Sequence, residues 1–213
     1  MKCFKHFVVR PPRLFRLLYP EAIWRVKKEE EVKTVYLTFD DGPNEAITEF
    51  ILGVLRCFDV KATFFVVGEN VERHPELLRA LLDEGHSIGN HTMHHLNGRN
   101  IRNQSFIADV EAQEVLMKTS LFRPPHGYMS RSQYRALKKD YRIVMFDLVT
   151  RDYAPEVSAD DILMTVKKYV RDGSVIVFHD SVKSFDKLKA ALPATLQWLK
   201  SEGYECRRLE MER

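Results

Sequence analysis

The chain has 213 residues, 45% hydrophobic and 30% charged, a balance that supplies one sizeable core and argues against disorder. Its formal charge of +3 is uneven: residues 1–28 carry eight Lys/Arg against Glu21 alone, a local +7, so the remainder carries −4. No basic, aromatic-studded nucleic-acid surface is visible outside that leader, and three scattered cysteines (Cys3, Cys57, Cys206) without CxxC spacing argue against a disulfide framework or thiolate metal site.

In the leader the longest fully apolar stretch is Phe7-Val8-Val9, short of the roughly 7–15 residues a secretion signal needs. No segment approaches the ~20 apolar residues of a membrane span, so a cytoplasmic location is the default expectation. Residues 1–33 are expected to pack on or flank a domain at 34–213, with Leu14, Leu17, Leu18 and Trp24 beneath it. Peripheral membrane contact through basic residues 1–28 is the alternative.

From residue 34 strand-like runs alternate with amphipathic helices. "TVYLTF" (34–39) puts Val35, Leu37 and Phe39 on one face and Tyr36, Thr38 and Asp40 on the other. A helix follows at 45–58, a strand at 62–67, and a helix at 75–84 stopped by Gly85. "HSIGNH" (86–91) reads as a strand, 105–119 as a helix, 121–123 as a short strand and 131–139 as a helix. "YRIVMFDL" (141–148) predicts a fifth strand. Ser158 and Asp161 form a capping-box pattern for a helix to Arg171. Then come a strand at 174–179, a helix at 184–201 bent near Pro193, and a strand at 204–209. Seven βα steps predict an α/β fold of parallel strands, barrel-like or open and doubly wound.

Both folds carry their chemistry at the carboxyl ends of strands. There the sequence places Asp40-Asp41, His91 and His95, Arg123, Asp147 and Asp152, and His179-Asp180. In "HTMHH" the four-residue spacing would set His91 and His95 on one side of a helical turn, where two imidazoles and a carboxylate can grip one divalent ion. His94 offers a competing i, i+3 pair with His91. Asp41 is a reasonable third ligand, and Asp40 is then left for a second task, activating water. "RPPHG" (123–127) supplies a fixed guanidinium on a stiff bend. His179, leaving an apolar strand, is either a hydrogen-bonded structural residue or a general acid.

Taken in order, "TFDDGP" (38–43), "HTMHH" (91–95), "RPPHG" (123–127), "TRDY" (150–153) and "VFH" (177–179) resemble the five motifs of the polysaccharide deacetylase family, the NodB-homology domain of carbohydrate esterase family four. The resemblance spans about residues 34–209. It implies a distorted (β/α) barrel of seven to eight parallel strands and hydrolysis of N-acetyl, or O-acetyl, groups on sugars or polysaccharides, with release of acetate. It implies metal binding by Asp41, His91 and His95, with Zn2+ expected and Co2+ or Ni2+ as alternatives. Asp40 would be the general base and His179 the general acid. Arg123 would orient Asp40, and Asp152 would hold Arg123 or His179. The backbone N–H of His126 would serve the oxyanion, and Pro124, Pro125, Tyr153 and Val177 would meet substrate.

Three departures bear on which sugar is bound. His126 stands where many members have Tyr, Val149 replaces the first Asp of Asp-x-x-Asp-Trp and Tyr153 its Trp, and Val177 replaces the usual Leu. Two rival readings are a carbohydrate-binding protein without turnover and a non-haem iron oxygenase built on two histidines and one carboxylate.

Overall fold

A computed structural model describes residues 9–26 and 32–211 of the chain. Its strands are β1 (Thr34–Asp40), β2 (Thr63–Val66), β3 (Ser87–Asn90), β4 (Leu121–Phe122), β5 (Arg142–Ile143), β6 (Leu148–Val149), β7 (Ser174–His179) and β8 (Glu205–Arg207). The helices are α1 (Arg13–Arg16), α2 (Glu45–Cys57), α3 (Gly68–Arg73), α4 (Pro75–Asp83), α5 (Asn103–Ala112), α6 (Arg131–Leu137), α7 (Ala159–Tyr169) and α8 (Val182–Ser201).

All strand pairs are parallel, in the order β5-β4-β3-β2-β1-β7-β6. β7 follows β1 from Val35 to Asp40. The other edge of β1 is shared, with β8 along Thr34–Tyr36 and β2 along Thr38–Asp40. The result is a distorted (β/α) barrel, the barrel-like alternative of the two that the alternation leaves open and the one the family resemblance implies.

Part of the seam between β5 and β7 is filled from the leader. Ile23 N–H donates to the Ile143 carbonyl (2.8 Å), Met145 N–H to that of Ile23 (2.8 Å), and Val26 N–H to that of Gly173 (2.9 Å). Trp24 and Tyr19 are buried beside this strip, whereas Leu14 and Leu17 are exposed, contrary to the expectation that all four apolar residues pack. Lys2, Lys5, Cys3, Lys27 and Lys28 lie outside the described residues.

The two faces of β1 feed different cores. Val35, Leu37 and Phe39 pack outward against Ile47, Ile51, Leu188 and Leu192 of α2 and α8. Tyr36 joins Phe65, Val175, Leu121 and Val144 inside the barrel. Above Tyr36 on that inner face the side chains turn polar, to Thr38 and Asp40, and the site begins there.

Several expected elements change where side chains take over backbone partners. The strand expected at 141–148 breaks into β5 and β6, because the Arg123 guanidinium claims the Val144 and Met145 carbonyls (3.3 and 2.9 Å). Asp147 therefore lies at the start of β6, beside Ser174, and not at a carboxyl end. The helix expected at 105–119 stops at Ala112 and tightens into a 3-10 turn where buried Gln113 bonds the Val66 carbonyl (2.7 Å). α8 starts at Val182 and runs through Pro193. α3 has no counterpart in the sequence reading, since only Gly68 and Val71 of its six residues are buried and no apolar period marks it. The Ser158–Asp161 capping box is present.

Candidate active site

The adjacent aspartates Asp40 and Asp41 are separated by backbone conformation. Asp40 ends β1 with extended geometry, and its side chain enters the barrel. Asp41 has φ of 80°, a left-handed conformation that Asp tolerates better than most residues. The step between the two turns the second carboxylate away from the first. Asn70 on α3 holds the Asp41 carbonyl (2.7 Å). Behind the turn Gly42 meets buried Asp180 so closely that a Cβ there would sit 2.2 Å from Asp180 Oδ2. Asp180 also donates its N–H to the Asp40 carbonyl (2.7 Å) and accepts from Thr48 Oγ1 (2.6 Å). Burial pushes its carboxyl up to about 7.

His91 and His95 converge without a helix, which corrects the helical-turn expectation. Thr92 and His95 take positive φ (68° and 52°), and the loop is held by Thr92 N–H on Asn90 Oδ1 (2.8 Å) and Leu96 N–H on Thr92 Oγ1 (3.1 Å). From the other side the first amides of α3 grip the loop, Gly68 N–H on Thr92 and Glu69 N–H on Met93. Only glycine fits at 68, where a Cβ would lie 2.9 Å from Met93 Cα. His94 turns away onto Asp109, through its N–H (3.0 Å) and its ring.

Asp41 Oδ1 lies 3.1 Å from His95 Nε2 and 3.6 Å from His91 Nε2. His91 Nδ1 sits 2.8 Å from the Arg123 carbonyl, so its Nε2 is the nitrogen presented. Burial raises the Asp41 carboxyl, but contact with His91 and His95 outweighs it and holds the group well below the usual carboxylate range. One donor from each of these residues lies within 4.8 Å of the others, a group that could hold a metal ion. Ligands at ~2.0–2.1 Å on a tetrahedral ion stand about 3.3 Å apart, so the two measured separations fit.

Asp40 lies beside this group but outside it. Arg123, 2% exposed, donates through Nη1 to Asp40 Oδ1 (2.6 Å) and Thr38 Oγ1 (2.7 Å), and stacks over Phe65. Burial pulls the guanidinium pKa down while Asp40 pulls it up. Asp40 Oδ2 has no hydrogen-bond partner among the described residues. Asp152, fully buried, holds His179 and not Arg123: its oxygens take the His179 ring Nδ1 and main-chain N–H, each at 2.7 Å. Burial alone would lower the His179 pKa, but Asp152, aided by Asp40 and Asp41, lifts it to about 9. Tyr153 meets the His179 ring edge-on at 4.8 Å.

These groups share one cleft of about 680 Å3, also lined by Val177, Phe146, Glu69 and Lys183. His126 (φ 59°) is at its rim with its ring against His95, and its N–H makes no hydrogen bond among the described residues. Burial and the two histidines lower its pKa. Pro124 and Pro125 are buried and do not line the cleft; they shape the turn that carries His126. Sequence reasoning missed Asn70, because α3 was missed, and left Asp180 without a role although it follows His179 directly.

An aspartate and two histidines placed for a metal, a second carboxylate clamped by a guanidinium and a histidine backed by a buried aspartate define a hydrolase site of the carbohydrate esterase type. The family model for polysaccharide deacetylase matches residues 27–144, and the chain belongs to that family. It is 33% identical over 189 residues to a peptidoglycan-N-acetylglucosamine deacetylase of Bacillus cereus, covering 85% of this chain and 87% of the relative. It is 30% identical over 192 residues to a chitooligosaccharide deacetylase of a Bradyrhizobium species, covering 81% and 87%. Among solved structures it is similar to the Bc1960 peptidoglycan N-acetylglucosamine deacetylase in complex with 4-naphthalen-1-yl-N-oxidanyl-benzamide, with TM-score 0.83, 30% identity, and 95% and 99% of the chains covered.

Proposed function

We propose that this polysaccharide deacetylase removes N-acetyl groups from N-acetylglucosamine units of a cell-wall glycan, with Zn2+ held by Asp41, His91 and His95. The observation that carries the reading is the side-by-side placement, at paired positions of β1 and β7, of two differently supported proton-transfer groups lining one cleft, Asp40 on Arg123 and His179 on Asp152. Mixed nitrogen and oxygen donors suit zinc, with Co2+ and Ni2+ as substitutes. The chemistry such an ion supplies is polarisation of the acetyl carbonyl and acidification of water.

The chain's own groups then divide the proton work. Arg123 fixes one oxygen of Asp40, and the other is left to take a proton from the attacking water. The His126 amide is the backbone donor for the oxyanion. His179, with Nδ1 on Asp152, directs Nε2 to protonate the departing amine. Val177 and Tyr153 bound the acetyl and sugar positions. An iron oxygenase needs neither the Arg123-clamped carboxylate nor the His179–Asp152 pair, and a silent binding protein has no use for their protonation states.

Among the described residues no helix is long and apolar enough to cross a membrane. A cytoplasmic placement and a cell-wall substrate conflict, and acetate-release activity in separated cell fractions decides between them. The direct test of function is acetate release by the zinc-loaded chain from peptidoglycan fragments, chitooligosaccharides and acetylated xylan. Release from the first with none from small N-acetyl sugars supports the proposal; xylan alone as substrate overturns it in favour of O-deacetylation.

A further inference from the structure

Leu14 and Leu17 are 73% and 70% exposed, three residues apart on the same turn of the leader, and so form one apolar ridge. The ridge is rigidly mounted. Tyr19 is buried, with its hydroxyl on the Met129 backbone, and Trp24 is buried against it. Exposed single apolar residues are ordinary; a fixed pair beside a concentrated charge is not.

The charge is equally localised. Arg16, on the same turn, reaches buried Asp147 (2.9 Å), as does Arg171, and Arg10 stands 3.8 Å from the same carboxylate. Arg10 and Lys168 both lie over the Tyr169 ring (5.7 and 5.3 Å). Asp147 is the carboxylate that these three guanidiniums share, and nearby Asp172 accepts the Thr34 N–H (2.8 Å). Among the described residues Arg10, Arg16 and Arg171 converge on one carboxylate with Lys168 beside them, which leaves this patch positive, with the arginine side chains about one-third exposed. One carboxylate cannot neutralise three guanidiniums.

From this combination we infer that Arg10, Leu14, Arg16 and Leu17, with Lys168 and Arg171, are a docking surface for an anionic phospholipid bilayer. The two leucines enter the headgroup–acyl boundary while the arginines meet lipid phosphates, the division of labour of an interfacial amphipathic segment. Position along β7 suits the assignment. Ser174, beside Asp147, opens the strand and His179 closes it, five residues or roughly 16 Å apart. A bilayer engaged at the amino end therefore leaves the cleft at the carboxyl end open to a polymer.

The test is co-sedimentation of the full zinc-loaded chain with mixed phosphatidylglycerol–phosphatidylcholine vesicles and with pure phosphatidylcholine vesicles. Binding is expected only to the anionic vesicles and should fall steeply as salt is raised. Leu14→Asp/Leu17→Asp should weaken it roughly tenfold or more, and Arg10→Gln about fivefold. Acetate release from a soluble chitooligosaccharide should not change in either. Leu14→Ser/Leu17→Ser is the milder control should the aspartates disturb folding, and it must show the same direction of loss. Equal binding to neutral vesicles, wild-type binding by both leucine variants, or no vesicle binding at all overturns the proposal. Self-association abolished by the same variants, without vesicle binding, would assign the ridge to a second copy of the chain.

Discussion

The Asp152→Asn variant tests how one buried carboxylate sets the state of the catalytic histidine. Asp152 is fully buried and bonds His179 twice, at ring and backbone. It is the principal reason that the His179 pKa stands at about 9 against an ordinary 6.5. At 1.36 kcal/mol per unit, that elevation corresponds to about 3 kcal/mol favouring the protonated folded protein. A group raised on folding stabilises fully below its unfolded value and ceases to do so above its folded value. The metal-free protein should therefore lose about 3 kcal/mol between pH ~6.5 and ~9, at up to about 1.4 kcal/mol per unit. Urea unfolding in the presence of a chelator, at several pH values, measures the slope. Asp152→Asn removes the charge, burial then dominates, and the slope across this window should fall by the His179 contribution. Asp180, raised to about 7, and His94, raised by its hydrogen bond to Asp109, also titrate in this window, are present in both proteins and cancel in the comparison. In the zinc-loaded enzyme the same variant should move the alkaline limb of kcat/KM on an N-acetyl substrate to lower pH. An unchanged unfolding slope and an unchanged limb would refute the assignment of Asp152 as the residue that keeps His179 protonated.

Asp40→Asn should retain zinc and lose roughly two to four orders of magnitude in turnover, whereas Asp41→Asn should lose zinc affinity and regain activity with excess metal; elemental analysis with zinc titration separates them. His179→Ala should impair amide substrates by about 10²–10⁴ and nitrophenyl acetate far less, because a nitrophenolate leaves unprotonated; equal losses would make His179 structural. Gly42→Ala should reduce zinc content and thermal stability, because its Cβ would sit 2.2 Å from Asp180 Oδ2; an unaltered melt and full zinc would refute the tight packing of the Asp41 turn.

Much of this site can be read from the sequence because its residues sit where strands end, and strands are marked by period-two patterns. β1 shows this most clearly. The alternation that sends Val35, Leu37 and Phe39 outward leaves Thr38 and Asp40 inward, where Arg123 is. Legibility fails where a side chain replaces a backbone partner. Nothing in "YRIVMFDL" reveals that Arg123, some twenty residues earlier, takes two of its carbonyls and splits the strand. The HxxxH spacing identifies two imidazoles that do converge, but through left-handed residues at Thr92 and His95 that no helical period encodes. Asp180 escaped because its work is done through contact with Gly42 and Thr48, which are distant in sequence. The leader was misjudged by hydrophobicity alone, which cannot say that Trp24 turns in while Leu14 and Leu17 turn out.

The strip formed by Ile23 and Val26 also has a consequence for how the molecule is made. Its partners, Ile143 and Gly173, lie more than a hundred residues downstream. On the ribosome the strip emerges before them and must wait, at ~5–20 residues per second, for several seconds before either partner exists. During that interval the apolar Trp24 and Tyr19 have no pocket. Biogenesis is thus exposed to non-productive encounters at this strip, and a chaperone that shields residues 19–26 until β5 is made would act where this topology needs it. Removing the strip would end the wait but leave an open sheet edge, the kind that pairs with neighbouring molecules.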